Sequence, residues 1–147
     1  MIPTAQRRWD CLTTHEPSKL RQFMNYLEPL PEGCPPDEAT EISVPWEVFR
    51  LVRTNPPSRD DFRSQRAEKP DAVFRVSECQ ARGLSVFTER SDSERALKLP
   101  RLRGRVICRL RLKSGVGRFQ QTGPPSHHTW WPLAAYDILA DSGVETV

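Results

Sequence analysis

Apolar and polar residues alternate most clearly over Gly104 to Lys113, where Val106, Cys108, Leu110 and Leu112 interleave with Arg105, Ile107, Arg109, Arg111 and Lys113. A period of two places the first set on the core side of a strand and leaves a row of cations on the other. Ser114-Gly115-Val116-Gly117 supplies a turn, and Arg118 to Thr122 is expected to return as the partner strand of a hairpin. Trp46 to Arg53 is aromatic and β-branched on both faces and closes at Asn55-Pro56-Pro57, which predicts a strand inside a sheet. Leu84-Ser85-Val86-Phe87 predicts another buried strand.

Helical spacing occurs once at length. Leu20, Phe23, Met24 and Leu27 share one face of a helix capped by Ser18 and running to about Glu28, where Pro29 and Pro31 end it. Shorter helices are signalled by their starts. Ser58 precedes Asp60 and Asp61, with Phe62 as core anchor, and Ser77 precedes Gln80 in a capping box that ends at Gly83. Ser91 precedes Glu94 in a second such box, which predicts a helix carrying Ala96 and Leu97 up to Pro100. Tyr136, Ile138 and Leu139 mark a last short element before a frayed acidic tail. The pattern divides the chain into an N-terminal arm, helix and Pro-rich connector over 1–45 and an α+β body over 46–143.

Composition adds that fourteen prolines favour a loop-rich chain over long helices. No apolar run reaches the roughly 18 residues of a membrane span, and Arg7-Arg8 is not followed by the apolar core of a signal peptide, so a cytoplasmic protein is expected. Cys11, Cys34, Cys79 and Cys108 lie 23, 45 and 29 positions apart without a C-x-x-C, which predicts free buried thiols. Charge is uneven: residues 95–136 hold nine basic and no acidic groups within a net charge of +3. Such a run is either a solvated face or an anion site.

Candidate chemistry gathers in Gln121 to Pro132, which holds His127, His128, Trp130 and Trp131. Adjacent histidines point to opposite faces of a strand, so they do not bind one metal together, and clustered zinc spacing is absent. One imidazole suits ligand contact or proton transfer, and the indoles suit either core packing or stacking on a base or nicotinamide. Arg50, in mid-strand beside Val48 and Val52, calls for a carboxylate or a ligand anion. Neither a nucleophile elbow nor a Walker loop is present.

The order Val48-Phe49-Arg50-Leu51-Val52, then Gly83-Leu84-Ser85-Val86-Phe87, then His127-His128-Thr129-Trp130-Trp131 resembles small bacterial proteins with a similar G-L-S-V-F and H-x-T-x-W pairing. More remotely it resembles the ADP-ribosyltransferase-like fold, bacterial toxins included. The resemblance implies a split antiparallel sheet holding NAD, with Arg50 on the cofactor, Ser85 lining the nicotinamide pocket and Gln121 or His127 completing the catalytic site, while Trp130 is the cofactor-binding candidate among the indoles. The chain departs from active transferases in having no acid between Glu94 and Asp137 to stabilise an oxocarbenium-like centre. Two other readings are a nucleic-acid module that uses Arg105, Arg109, Arg111, Lys113 and Arg118, and a toxin or immunity module whose Trp pair anchors a protein partner.

Overall fold

A computed structural model describes residues 25–147. It contains one seven-stranded antiparallel sheet with four short helices, an α+β architecture. The strands are β1 (Thr40–Glu41), β2 (Trp46–Val52), β3 (Leu84–Phe87), β4 (Val106–Leu112), β5 (Gly117–Gly123), β6 (His127–Pro132) and β7 (Glu145–Thr146), ordered β1-β5-β6-β3-β2-β4-β7. The helices are α1 (Gln65–Glu68), α2 (Glu78–Ala81), α3 (Arg90–Ala96) and α4 (Ile138–Asp141), with 3-10 turns at Arg59–Phe62 and Pro100–Leu102.

The expected strands are present, but the expected hairpin is not. β4 pairs with β2 through seven registered positions and with β7 on its other edge, while β5 pairs with β6 and β1. Residues 113–116 therefore cross between two wings of the sheet, pinned by Ile42, whose carbonyl accepts from the Gly115 N–H and whose N–H donates to the Gly117 carbonyl. Both edges of β4 are already filled, so a local turn signal has no partner strand to deliver.

The wings meet at a narrow junction. β2 and β3 share one registered pair, Phe49↔Phe87, against four for β3 and β6. One sheet face carries the main core: Val48 and Val52 of β2, Leu84 and Val86 of β3, Cys108, Leu110 and Leu112 of β4 and Trp130 of β6. Trp46 and Phe119 join the wings across it, their ring centroids 4.2 Å apart. On the outer face, α3 covers Phe49, Leu51 and Ile107 with Ala96 and Leu97. Trp131 is covered there by Tyr26, Cys34 and Ala39.

The N-terminal segment differs from its expectation. Most of the predicted helix lies outside the described residues, and by Asn25 the chain is extended along the end of β6. Tyr26 bridges Leu133, and the Leu27 N–H donates to the Pro132 carbonyl at 2.8 Å. Residues 29–45 then supply β1 and the buried Ile42. Cys34 and Cys79 form a disulfide with Cα atoms 5.5 Å apart, which corrects the expectation of free thiols at both. Their separation of 45 residues hides a neighbourhood that only the sheet creates. Cys108 is free and buried.

Two of the expected helix starts are present and one is not, and α1, capped by Ser64, was not expected. The Ser77 side chain accepts from the Gln80 N–H, and Ser58 and Asp61 make the capping box of the first 3-10 turn. The Ser91–Glu94 box does not form: α3 begins at Arg90 after Glu89, and the Ser93 hydroxyl donates to the Arg90 carbonyl. Ser126 accounts for the earlier start, because its carbonyl accepts from the Thr88 N–H and its hydroxyl from the Glu89 N–H. The acidic tail is likewise ordered as β7, where Glu145 pairs with Arg109.

Candidate functional site

Arg50 marks the junction between the wings. It lies on the core face, 8% exposed, and donates to backbone carbonyls and not to a carboxylate. Its Nε donates to the Asp61 carbonyl (2.9 Å), Nη1 to the Ser85 carbonyl (2.8 Å) and Nη2 to the Arg63 carbonyl (3.2 Å), with its guanidinium 5.8 Å from the Phe62 ring centroid. Burial lowers its pKa to about 10, which leaves it cationic at neutral pH. A guanidinium fork suits this role because its donors diverge in one plane. Cys108, its partner across β4, has its thiol pushed up to about 11 by burial and is not poised as a nucleophile.

The 3-10 turn beneath Arg50 is held by Asp61. That buried carboxylate accepts from the Ser58 N–H (2.9 Å), the Arg53 N–H (2.8 Å) and the Thr54 hydroxyl. Burial alone would raise its pKa, but these hydrogen bonds outweigh burial and hold it below 3.8.

On the outer face of β3, β6 and β5, between the two apolar covers, a polar band crosses the sheet. Strand alternation places Ser85, His127, Thr129 and Gln120 there, with Ser85 opposite Thr129 and Phe87 opposite His127. A register shift between Gln121 and Gly123 makes Thr122 a bulge residue. Its hydroxyl bridges His127 Nδ1 (2.9 Å) and Thr129 Oγ1 (2.8 Å). Burial, and secondarily His128, lowers the His127 pKa below 6.5, so this imidazole is neutral at pH 7. Its ring stands edge-on to Phe87 with centroids 5.4 Å apart. Ser85 is exposed and Thr129 is fully buried. Close approach sets part of this band, because a Cβ on Gly83 would collide with Thr129 Cγ2.

The five residues expected at one site separate. Arg50 and Ser85 meet at the junction, but through the Ser85 carbonyl, and their side chains lie on opposite faces. His127 shares the outer face with Ser85. Gln121 lies on the other face, exposed, and donates to the Pro125 carbonyl at 2.9 Å. Trp130 is 0% exposed in the core, its indole N–H on the Val116 carbonyl, which leaves no ring face for a ligand. Trp131 is equally buried and donates to the Cys79 carbonyl at 2.9 Å. The two histidines do point apart, His128 toward Trp46 and Phe119.

Phe87, Thr122 and Thr129 were missed as site residues. Thr129 could have been read from its place two residues after His127, while Thr122 depends on a bulge that no periodicity shows. The row of cations is also interrupted, since Arg109 pairs with Glu145, Arg111 with Glu47 at 3.6 Å, and Arg118 donates to the Ala39 carbonyl at 2.8 Å. The dent lined by Tyr26, Leu30, Arg82, Trp131 and Pro132 has no room for a water molecule. Among the described residues no group of three or more His, Cys, Asp or Glu converges on a metal position, and no helix is long and apolar enough to cross a membrane. Comparison with protein-family models, with curated proteins and with solved structures finds no match to this chain.

Proposed function

We propose that the chain is a nucleotide-binding protein of ADP-ribosyltransferase-like layout, in the manner of a bacterial toxin-type protein, that takes NAD or a close relative on the outer face beside the β2–β3 junction. The observation that carries this reading is the junction itself. The sheet narrows there to one registered pair, and Arg50 reaches across it to the Ser85 carbonyl, so two strand positions that the resemblance assigns to the cofactor lie at one seam. In this reading Ser85 and His127 contact the ligand directly and the Phe87 ring offers an apolar edge to the nicotinamide. Arg50 is a positioning residue that braces the strand of Ser85, and neither Trp130 nor Gln121 takes part. A neutral imidazole held by Thr122 gives the site a hydrogen-bonding group that carries no charge at pH 7.

The cytoplasmic placement expected from the sequence stands against the Cys34–Cys79 disulfide, since reducing compartments disfavour such bonds. A toxin that acquires its disulfide outside a cell and acts inside another reconciles the two.

Isothermal titration with NAD, and separately with ADP-ribose, tests the binding. Saturable heat is expected below millimolar ligand, with His127→Ala weakening it about tenfold, or about 1.4 kcal/mol. Absence of saturable heat for the folded protein at millimolar NAD overturns the proposal.

A further inference from the structure

The segment from Lys98 to Arg105, between α3 and β4, contains Lys98, Arg101, Arg103 and Arg105 and no acid. Its backbone is held in place: Leu102 N–H donates to the Leu99 carbonyl (3.0 Å), Arg103 N–H to Pro100 (3.3 Å) and Arg105 N–H to Leu102 (3.2 Å). Leu102 anchors it against the outer-face cluster of Phe49, Leu51 and Ile107. The loop is thus a fixed support, and Lys98, Arg101 and Arg103 project from it exposed to solvent.

Its cations differ from those around them. Arg53, Arg66, Arg109 and Arg111 each have a carboxylate partner, namely Glu68, Glu78, Glu145 and Glu47. Among the described residues, none of Lys98, Arg101, Arg103 and Arg105 forms an ion pair. Arg105 is half-buried, and extending the β2–β4 register past Val52↔Val106 sets it opposite Arg53. Like charges facing each other across strands are destabilising. Burial first, and then Arg53, push the Arg105 pKa down. An external anion relieves this repulsion, whereas the two nearby carboxylates are already engaged, Glu68 by both Arg53 Nη atoms at 3.2 and 3.0 Å and Asp61 by the Ser58 and Arg53 N–H groups and the Thr54 hydroxyl.

We propose that this loop is a docking surface for the phosphate backbone of nucleic acid. A protein partner fits less well. Leu99, 43% exposed, is the one large exposed apolar side chain on the loop, too little for the desolvated core that protein interfaces use. No aromatic residue occurs in 98–105, so bases have no ring to stack on, and recognition runs through phosphates without reading sequence. The surface shares Arg105 with the row of cations that the alternation singled out but leaves out Arg109 and Arg111, because Glu145 and Glu47 neutralise those two. It does not depend on the nucleotide proposal.

The test is fluorescence anisotropy of a labelled oligo-dT and of a duplex of equal length, with poly-glutamate as competitor. Both are expected to bind at low salt, with log affinity falling against log salt at a slope of about −3, the value for roughly four phosphate contacts. The triple variant Lys98→Glu, Arg101→Glu, Arg103→Glu, altered only at exposed positions, should lose about tenfold or more in affinity with an unchanged thermal melt. Arg109→Gln should bind as the wild type does. The proposal is overturned by no binding at low salt, by a triple variant that binds normally, or by poly-glutamate displacing the oligonucleotide at equal charge, which would mark an acidic-protein surface instead.

Discussion

The wing of β2, β4 and β7 and the wing of β6, β5 and β1 treat their polar residues in opposite ways. In the first, charges are met inside the wing, Arg109 by Glu145 and Arg111 by Glu47, and the buried Arg50 is held by three backbone carbonyls. In the second, the polar groups are mostly neutral, half-buried and linked in a chain, with Thr122 joining His127 to Thr129 next to an exposed Ser85. Charges already met by the fold have little left to offer a ligand. Neutral hydrogen-bonding groups on a partly covered face keep that capacity, which is why the candidate site belongs to the second wing even though the first carries more charge.

The sharpest way to break this contrast is at Arg50. Arg50→Met should cost roughly 3 to 5 kcal/mol in urea unfolding, since three carbonyls lose a charged donor in a nearly buried setting. A loss below about 1 kcal/mol would show that the guanidinium is not a brace and is free to serve a ligand. Next in size is the cover over the second wing. A disulfide closing a 45-residue separation removes about 4 kcal/mol of unfolded-chain entropy by loop-closure arithmetic. Cys34→Ser with Cys79→Ser should therefore lower stability by about 2 to 4 kcal/mol, with a change in Trp131 fluorescence, because that ring donates to the Cys79 carbonyl. An unchanged unfolding midpoint would mean that apolar contacts alone hold the cover.

The smallest effect is the pH response of His127. Its folded pKa lies below the ordinary 6.5, so the unfolded chain binds the proton first as pH falls. Stability should decline as pH drops below 6.5 and level off once pH has passed the folded value. His127→Gln should remove this decline and leave the separate loss at lower pH, where Asp61, held below 3.8, becomes protonated. A wild type and variant with parallel profiles between neutrality and that acid limb would place the imidazole in water rather than in a half-buried band.

Local rules were sufficient where a residue's environment follows from its immediate neighbours. The alternation of Val106 to Leu112, the two-sided apolar run of Trp46 to Val52 and the Ser77 cap each describe what the structure contains, because strand faces and helix starts depend on residues a few positions apart. The opposed directions of His127 and His128 follow from the same geometry. Of the candidate site, local reading marked His127 and the resemblance marked Ser85, but neither separates them from Trp130 and Gln121, which requires knowing which face the core takes.

Pairing decided the rest. β4 and β5 are consecutive and joined by a turn, yet they lie in different wings because β2 and β7 occupy both edges of β4. Arg50 found carbonyls instead of a carboxylate because the 3-10 turn at 59–62 and β3 converge on it from distant parts of the chain. Cys34 found Cys79 for the same reason. The amino-acid sequence alone determined the longer strands, the Ser77 cap and which side chains alternate. Tertiary structure decided which strands meet and which face is covered, since those outcomes depend on competition among distant segments for the same hydrogen-bonding edges and the same apolar surface.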